Sequence, residues 1–379
     1  MRSALVHDWL TGMRGGEKVL LEHARLLPDA AVHTLVHVPG STHPEIESHP
    51  IHASPLSRLP GIARHYRKAL PLFPWAVARL DPGEVDFVLS SSHAVAKGVP
   101  VPPGAVHLCY CFTPMRYVWD QADAYLGRGA FRMLARPLVA GLRNWDVWSS
   151  APSRVHRVVG ISRTVAERIR RHWGREASVI HPPVDVGRFA RIPRTSEDFY
   201  LLVGGFVPYK REDVAIDAFR ELGLPLVVAG DGPGRAALAA RAPANVGFLG
   251  RVDDAALAGL YARCRALVYP QEEDFGIVPV EAQAAGAPVV AFGRGGVRDT
   301  VVPLGDAAPP TGLFFDAQDA ASLADAVRRF EREAIAFDSD AIRRHARRFD
   351  VARYRREIRA AIDETVAHGP QAWETRGPQ

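Results

Sequence analysis

Two acids and two cations stand out as side chains able to do chemistry. Glu273 and Glu281 frame an apolar run with a proline inside it, in the stretch EEDFGIVPVEAQAAG from Glu272 to Gly286. Lys210 and Arg211 lie together in GGFVPYKRED, where an apolar run gives way to a helical pattern. Cations at a helix start are opposed by the helix dipole, so helix stability does not explain them. Free amides beside an ammonium and a guanidinium do suit a diphosphate. Two carboxylates can accept hydrogen bonds from polyol hydroxyls, such as those of a sugar and a ribose. Pro279 fits a first helical turn, which puts the amides of Phe275, Gly276 and Ile277 at a helix N-terminus. Glu281 is then expected in the first turn, where an acid also complements the dipole. Glu273, in the loop before it, has no such explanation.

Glycines recur where strands run into helices. Gly15 and Gly16 precede a helix expected near Glu17, VVAGDGPG ends a strand, and Gly295 and Gly296 precede another helix. One glycine pair is as often a tight turn as a ligand loop. Several such loops on one edge of a sheet carry more weight, because ligands of open parallel sheets bind at the carboxyl ends of strands. No metal is expected. No Asp-x-Asp stands in a strand-end loop, and Asp253 in DDAAL reads as a helix cap. His43, His49 and His52, in a proline-rich loop, are a weak metal candidate.

The elements that must hold these loops alternate. SALVHDWL, AVHTLVH, VDFVLSSS, AVHLCYCF and HRVVGIS read as buried strands, and GGEKVLLEHARLL and RTVAERIRRHW as helices. The scheme restarts with DFYLLVGGF and continues through PLVVAGDG, NVGFLG, RALVYP and PVVAFG, with helices REDVAIDAFREL, DDAALAGLYARC and SLADAVRRFERE between and after them. Apolar strands alternating with helices predict parallel sheets covered on both faces. Two successive sets in 379 residues predict two such domains. The proline-rich stretch His181 to Asp198 is the expected linker, and ARYRREIRAAIDETVAH the last helix.

A hydrophobic content of 47% and a charged content of 23% are those of a soluble globular chain, and no run is long enough to span a membrane. The opening reads as a strand from the first residues, without a signal peptide. Three sparse cysteines argue against a disulfide scaffold and for a reducing cytoplasm. A net charge of +5 is too mild for a nucleic-acid footprint but favours anionic lipid or phosphorylated substrates. Ser57 to Leu80 mixes Arg58, Arg64, Arg67 and Lys68 with Leu70, Leu72, Phe73 and Trp75. It fits either an interfacial segment or a helical excursion packed on its own domain.

With these residues in place, the chain resembles the family-4 retaining glycosyltransferases of the GT-B fold, and within them bacterial mannosyltransferase-like members of surface polysaccharide synthesis. The matching stretches are GGEKVL, CYCFTPMRYVWD, VVGISRTVAERI, VIHPPVDVGRF, VPYKREDVAIDAF, VVAGDGP and EEDFGIVPVEAQAAGAPVVAFGRGG. The two glutamates separated by seven residues are the most specific of them. The resemblance implies two facing Rossmann-like domains: an acceptor-binding domain at 1–182 and a nucleotide-sugar domain at 183–352. A helix at 353–368 crosses back to the first, and a disordered tail follows at 369–379.

It further implies a metal-independent, cytoplasmic transferase, with peripheral contact to the inner membrane face as an accompanying expectation. The leading donor is GDP-mannose, and the acceptor is lipid-linked or a saccharide. A UDP-sugar donor, or a binding protein without catalysis, is the alternative. Glu273 would meet the donor sugar and Lys210 the leaving diphosphate. Glu281 would hold the ribose, with Gly205, Arg211, Arg163 and the amides of Phe275, Gly276 and Ile277 completing the donor site. Gly15 and Gly16 would lie under the diphosphate or the acceptor. Two departures bear on the donor. The family's usual arginine before the lysine is Phe206 here, leaving the second cation absent or supplied by Arg211. Its usual histidine before Thr-Pro is Phe112, with Thr113 or His93 as substitutes.

Overall fold

The computed structural model describes residues 1–120 and 130–374, and side chains within them outside 130–135 and 371–374. The chain divides into two units, Met1–Pro182 with Tyr354–Gln379, and Pro183–Arg353. Among the described residues no helix is long and apolar enough to cross a membrane.

The first unit is built on seven strands: β1 (Ser3–Leu10), β2 (Ala31–His37), β3 (Ile51–Ala53), β4 (Phe87–Ser92), β5 (Val106–Cys111), β6 (Arg157–Gly160) and β7 (Ser178–Val179). They lie in the order β3-β2-β1-β4-β5-β6-β7, all parallel. β4 and β5 are buried at every position, as strands covered on both faces must be. The helix Gly15–Leu26 follows β1 and turns Val19, Leu20 and Ala24 inward. Val6, Trp9, Val36 and Val88 share a core with Phe73, Ala76, Val77, Met115 and Leu142. Full burial of one such aliphatic side chain stabilises by about 1.5–3 kcal/mol.

Ser57–Leu80 forms short helical turns whose Tyr66, Phe73, Ala76 and Val77 enter that core. The same segment leaves Leu59 at 49%, Leu72 at 48% and Trp75 at 45% exposure. Packing on its own domain and an apolar outer face therefore coexist.

The second unit holds β8 (Tyr200–Gly204), β9 (Leu226–Gly230), β10 (Val246–Gly250), β11 (Leu267–Tyr269), β12 (Val289–Phe292) and β13 (Gly312–Phe315), in the order β10-β9-β8-β11-β12-β13 and all parallel. Leu202, Val228, Val268 and Val290 pack against Ile216 and Phe219 of helix Glu212–Leu222, and against Leu323, Val327 and Phe330 of helix Ala320–Glu333. In both sheets the chain order reverses once, between β1 and β4 and between β8 and β11. Such switch points open a crevice at the carboxyl ends of the strands.

Two expectations about connecting segments need correction. Most of the stretch read as a linker is folded into the second unit. Asp185 caps the helix Val186–Ala190 by accepting from Arg188 N at 3.1 Å, and Phe189 packs its buried ring 5.6 Å from Tyr261. A five-residue helix is too short to show a period among prolines. The tail read as disordered from 369 is helical to Glu374 after a kink at Gly369, φ 66°, and residues 375–379 lie outside the described residues.

Candidate active site

The β8–β11 switch point gathers the reactive groups of the second unit. β8 ends in Gly204, and the chain turns through Gly205 and Phe206 to the 3-10 turn Pro208–Lys210. Glu212 shapes this loop from the first turn of the next helix, accepting from Phe206 N at 2.8 Å. Burial pushes its carboxyl pKa up despite that bond. The turn aims Lys210 across to the loop after β11, where Nζ lies 3.1 Å from Glu273 Oε1. Glu273 Oε2 accepts from the Tyr269 hydroxyl at 2.6 Å. Burial alone would lower the Lys210 pKa, but Glu273, together with Tyr209 and Glu212, outweighs this and the net shift is upward. The ammonium therefore stays charged through neutral pH. Both side chains keep some access to solvent, at 21% for Lys210 and 25% for Glu273.

The helix after this loop runs from Ile277 to Ala284, with Gly276 at its N-cap in the left-handed region, φ 92°. No side chain caps it, and Pro279 sits in its first turn. Phe275 is buried, its ring 5.7 Å from Phe349, so its role at the loop is carried by backbone. Glu281 is the fifth residue of the helix, not in the first turn as expected. Its side chain is mostly buried and its Oε2 accepts from the Tyr261 hydroxyl at 3.0 Å. Dipole complementarity therefore does not account for it, since that effect fades beyond the first turn.

Three other features shape these loops. Phe206 is buried in the apolar core in a left-handed conformation, φ 49°, so its position faces the core rather than the loop's cations. Arg211, also left-handed at φ 54°, pairs with Asp213, Nε to Oδ1 at 3.1 Å. The glycine turns of this unit are closely approached by neighbouring backbone. A methyl at Gly230 would stand 1.9 Å from Gly204 O, one at Gly232 2.0 Å from Gly205 O, and one at Gly296 2.3 Å from Asp274 O. These glycines let strand-end loops lie against each other, a use independent of any ligand.

The first unit builds a second polar cluster at its own switch point. Asp8, near the end of β1, is fully buried and accepts from the amides of His93, Ala94, Val95 and Ala96 at 2.7–3.0 Å. His93 Nδ1 lies 3.1 Å from the same carboxylate. Burial would raise the Asp8 pKa, but His93 and these bonds reverse it and hold it well below the usual range. Lys97, in the same turn, is fixed by the buried Asp146 at 2.6 Å. The His93 ring stands edge-on to Trp9 at 4.3 Å and 6.1 Å from the half-buried Phe112. Thr113 is buried, its hydroxyl oxygen without a hydrogen-bond partner among the described residues. Gly15 opens the helix Gly15–Leu26, and a methyl at Gly16 would make only ordinary contacts, 3.4 Å to His7 and 3.6 Å to Phe112. Arg163 is exposed at the start of the helix Arg163–Trp173.

The structure thus gathers Lys210, Glu273, Gly205 and Gly276 in one unit, with Glu281 farther along the same helix, and gathers Gly16, His93, Phe112 and Thr113 in the other. Sequence reading missed Tyr269, Tyr261, Asp8 and Glu212. Asp253 caps its helix as expected, accepting from Ala256 N at 2.8 Å. His43 caps a short helix, His49 Nδ1 bonds Ala30 O and His52 stacks on His33.

Residues 187–348 match the family described as Glycosyl transferases group 1. Over 191 residues the chain is 34% identical to a GDP-mannose-dependent alpha-mannosyltransferase of Mycolicibacterium smegmatis, covering 47% of this chain and 49% of that protein. It is 33% identical over 224 residues to a D-inositol 3-phosphate glycosyltransferase of Mycobacterium avium, covering 49% and 50%. The chain thus spans about half the length of the curated relatives it matches. Among solved structures, Anabaena HepE in complex with UDP is similar over 96% of this chain and 100% of that one, at TM-score 0.68 and 17% identity. WaaG, a glycosyltransferase involved in lipopolysaccharide biosynthesis, is similar over 95% and 99%, at TM-score 0.64 and 17% identity. Residues 187–348 are thus similar to the glycosyl transferases group 1 domain, and the chain has the GT-B fold of these structures.

Proposed function

We propose that this protein is a retaining glycosyltransferase that moves a sugar, with mannose from GDP-mannose the leading candidate, to a lipid-linked or saccharide acceptor. The observation that carries this reading is the Lys210–Glu273 pair at the β8–β11 switch point. In glycosyl transfer the bond from the anomeric carbon to the diphosphate oxygen breaks, and the leaving group gathers negative charge. Lys210 and the uncapped helix N-terminus at Gly276 answer that charge without calling on a metal. Glu273 is the acceptor for donor-sugar hydroxyls and Glu281 for the ribose. In the retaining course the acceptor oxygen bonds the anomeric carbon on the face the diphosphate leaves. Its proton passes to the departing diphosphate oxygen. The mannosyltransferase relative supports GDP-mannose as the first donor to try. Phe112, in place of a polar side chain, supports a second reading in which the nucleotide sugar binds without transfer. A thermal-shift panel of GDP, UDP and ADP with their sugars identifies the base, since a ligand of the native state raises its melting temperature. Acceptor-dependent release of nucleoside diphosphate then supports transfer. No release with any donor and acceptor would sink it.

The outer face of Ser57–Leu80 supports work at an anionic membrane surface. Residues 48–80 contain no Asp or Glu, while Arg58, Arg64, Arg67, Lys68 and Arg79 are exposed beside Leu59, Leu72 and Trp75. Each basic residue near such a surface contributes about 1 kcal/mol. Reversing Arg64, Arg67 and Lys68 to Glu should weaken binding to phosphatidylglycerol vesicles by about 100-fold or more. Vesicle flotation equal to wild type would remove the membrane from this reading.

A further inference from the structure

Each acid of the Glu-to-Glu stretch is held by a tyrosine from an element that precedes it. Tyr269 closes β11 and donates to Glu273, and Tyr261, on the helix Asp254–Arg263, donates to Glu281. Both rings are buried. A buried phenol needs a partner, and a carboxylate makes a stronger one than a neutral oxygen. The Tyr269 hydroxyl also lies under the turn at Gly276, where a methyl would come within 3.3 Å of it. It therefore links the end of β11, the acid and the start of the next helix.

The two oxygens of Glu273 have unlike partners. Oε2 rests on a ring fixed in the sheet, and Oε1 on a lysine that ends a flexible stem from another loop. A diphosphate brings more negative charge than one carboxylate and would compete for that lysine. Without a second anchor, Glu273 would follow Lys210 or rotate away. We propose that Tyr269 is a positioning residue that keeps Glu273 in place when Lys210 turns to the donor diphosphate. The proposal rests on the nucleotide-sugar reading above. Tyr261 is its matched control, since it supports the acid assigned to the ribose.

The test compares Tyr269→Phe, Tyr261→Phe, Glu273→Gln and the Tyr269→Phe/Glu273→Gln double variant in the full chain. Tyr269→Phe should lower kcat about 10- to 100-fold through lost alignment, with the Kd for nucleoside diphosphate within about twofold and the melting temperature nearly unchanged. Tyr261→Phe should act on donor KM instead. In the Glu273→Gln background, Tyr269→Phe should add less than about twofold, because the two residues act as one unit. Wild-type kcat in Tyr269→Phe, or losses that multiply in the double variant, would overturn the proposal. A second readout needs no turnover. A loosened Glu273 supports the Lys210 charge less, so Tyr269→Phe should speed acylation of Lys210 by acetic anhydride by about threefold or more. An unchanged rate overturns the positioning role, whereas a wild type inert toward every donor overturns the transferase reading alone.

Discussion

Asp8 and Glu273 occupy the same station in two different sheets. Each stands near the carboxyl end of a strand beside the switch point of its unit. Asp8 is sealed from solvent and satisfied by four backbone amides and a histidine. Glu273 keeps a quarter of its side chain accessible and holds one phenol and one ammonium. A carboxylate satisfied by backbone has nothing left for a ligand, and the turn it organises presents His93 instead. A carboxylate satisfied by a side chain on another loop can change partners. Burial and the kind of donor separate architecture from chemistry here.

The largest expected effect tests the architectural side. Asp8→Ala leaves four amides unsatisfied and should cost about 3–5 kcal/mol of stability in denaturant unfolding. Because Asp8 titrates below the ordinary carboxylate range in the folded chain, its stabilisation is complete above the unfolded value near 3.9 and declines as pH falls below it. The gap between wild type and variant should accordingly narrow in acid. An Asp8→Ala protein as stable as wild type at neutral pH would break the comparison.

Lys210→Ala should do the reverse. Turnover should fall about 100- to 1,000-fold, as when a charge-stabilising donor is removed, with stability changed by less than about 1 kcal/mol since the pair is partly exposed. Loss of fold in place of turnover would make Glu273 and Lys210 architectural as well. The smallest effect sharpens the difference between the two acids of the second unit. Glu281→Gln should raise donor KM about five- to tenfold with kcat within twofold, the share of one charged hydrogen bond. An equal fall in kcat would move Glu281 to the reacting centre.

The sheets were legible because buried parallel strands are written as continuous apolar runs. SALVHDWL and AVHTLVH are strands over the lengths they suggest. Ile51–Ala53 and Ser178–Val179 were not, because two or three residues cannot establish a period and pairing decides them. Gly312–Phe315 escaped as well, four residues that open on a glycine. At the site, Lys210 and Glu273 showed themselves as charges with no local use. Tyr269 could not, since a tyrosine ending an apolar strand is indistinguishable from core until the loop folds back over it. Gly230 and Gly296 are also required by neighbouring backbone, which no local pattern records.

The return of the last helix to the first unit sets an order of events at the ribosome. His23 Nε2 and the Tyr354 hydroxyl are 2.6 Å apart in a buried contact, Arg355 pairs with Glu22, and Arg157 with Glu364. Residues of the helix Gly15–Leu26 therefore wait for partners made more than 300 positions later. The second unit, continuous from Pro183 to Arg353, can complete its own core before that. Throughout this interval His23 and Glu22 of the nascent first unit lack Tyr354 and Arg355. Until the last helix docks, this face of the first unit lacks its cover, and such transiently exposed surface is where a nascent chain is open to aggregation.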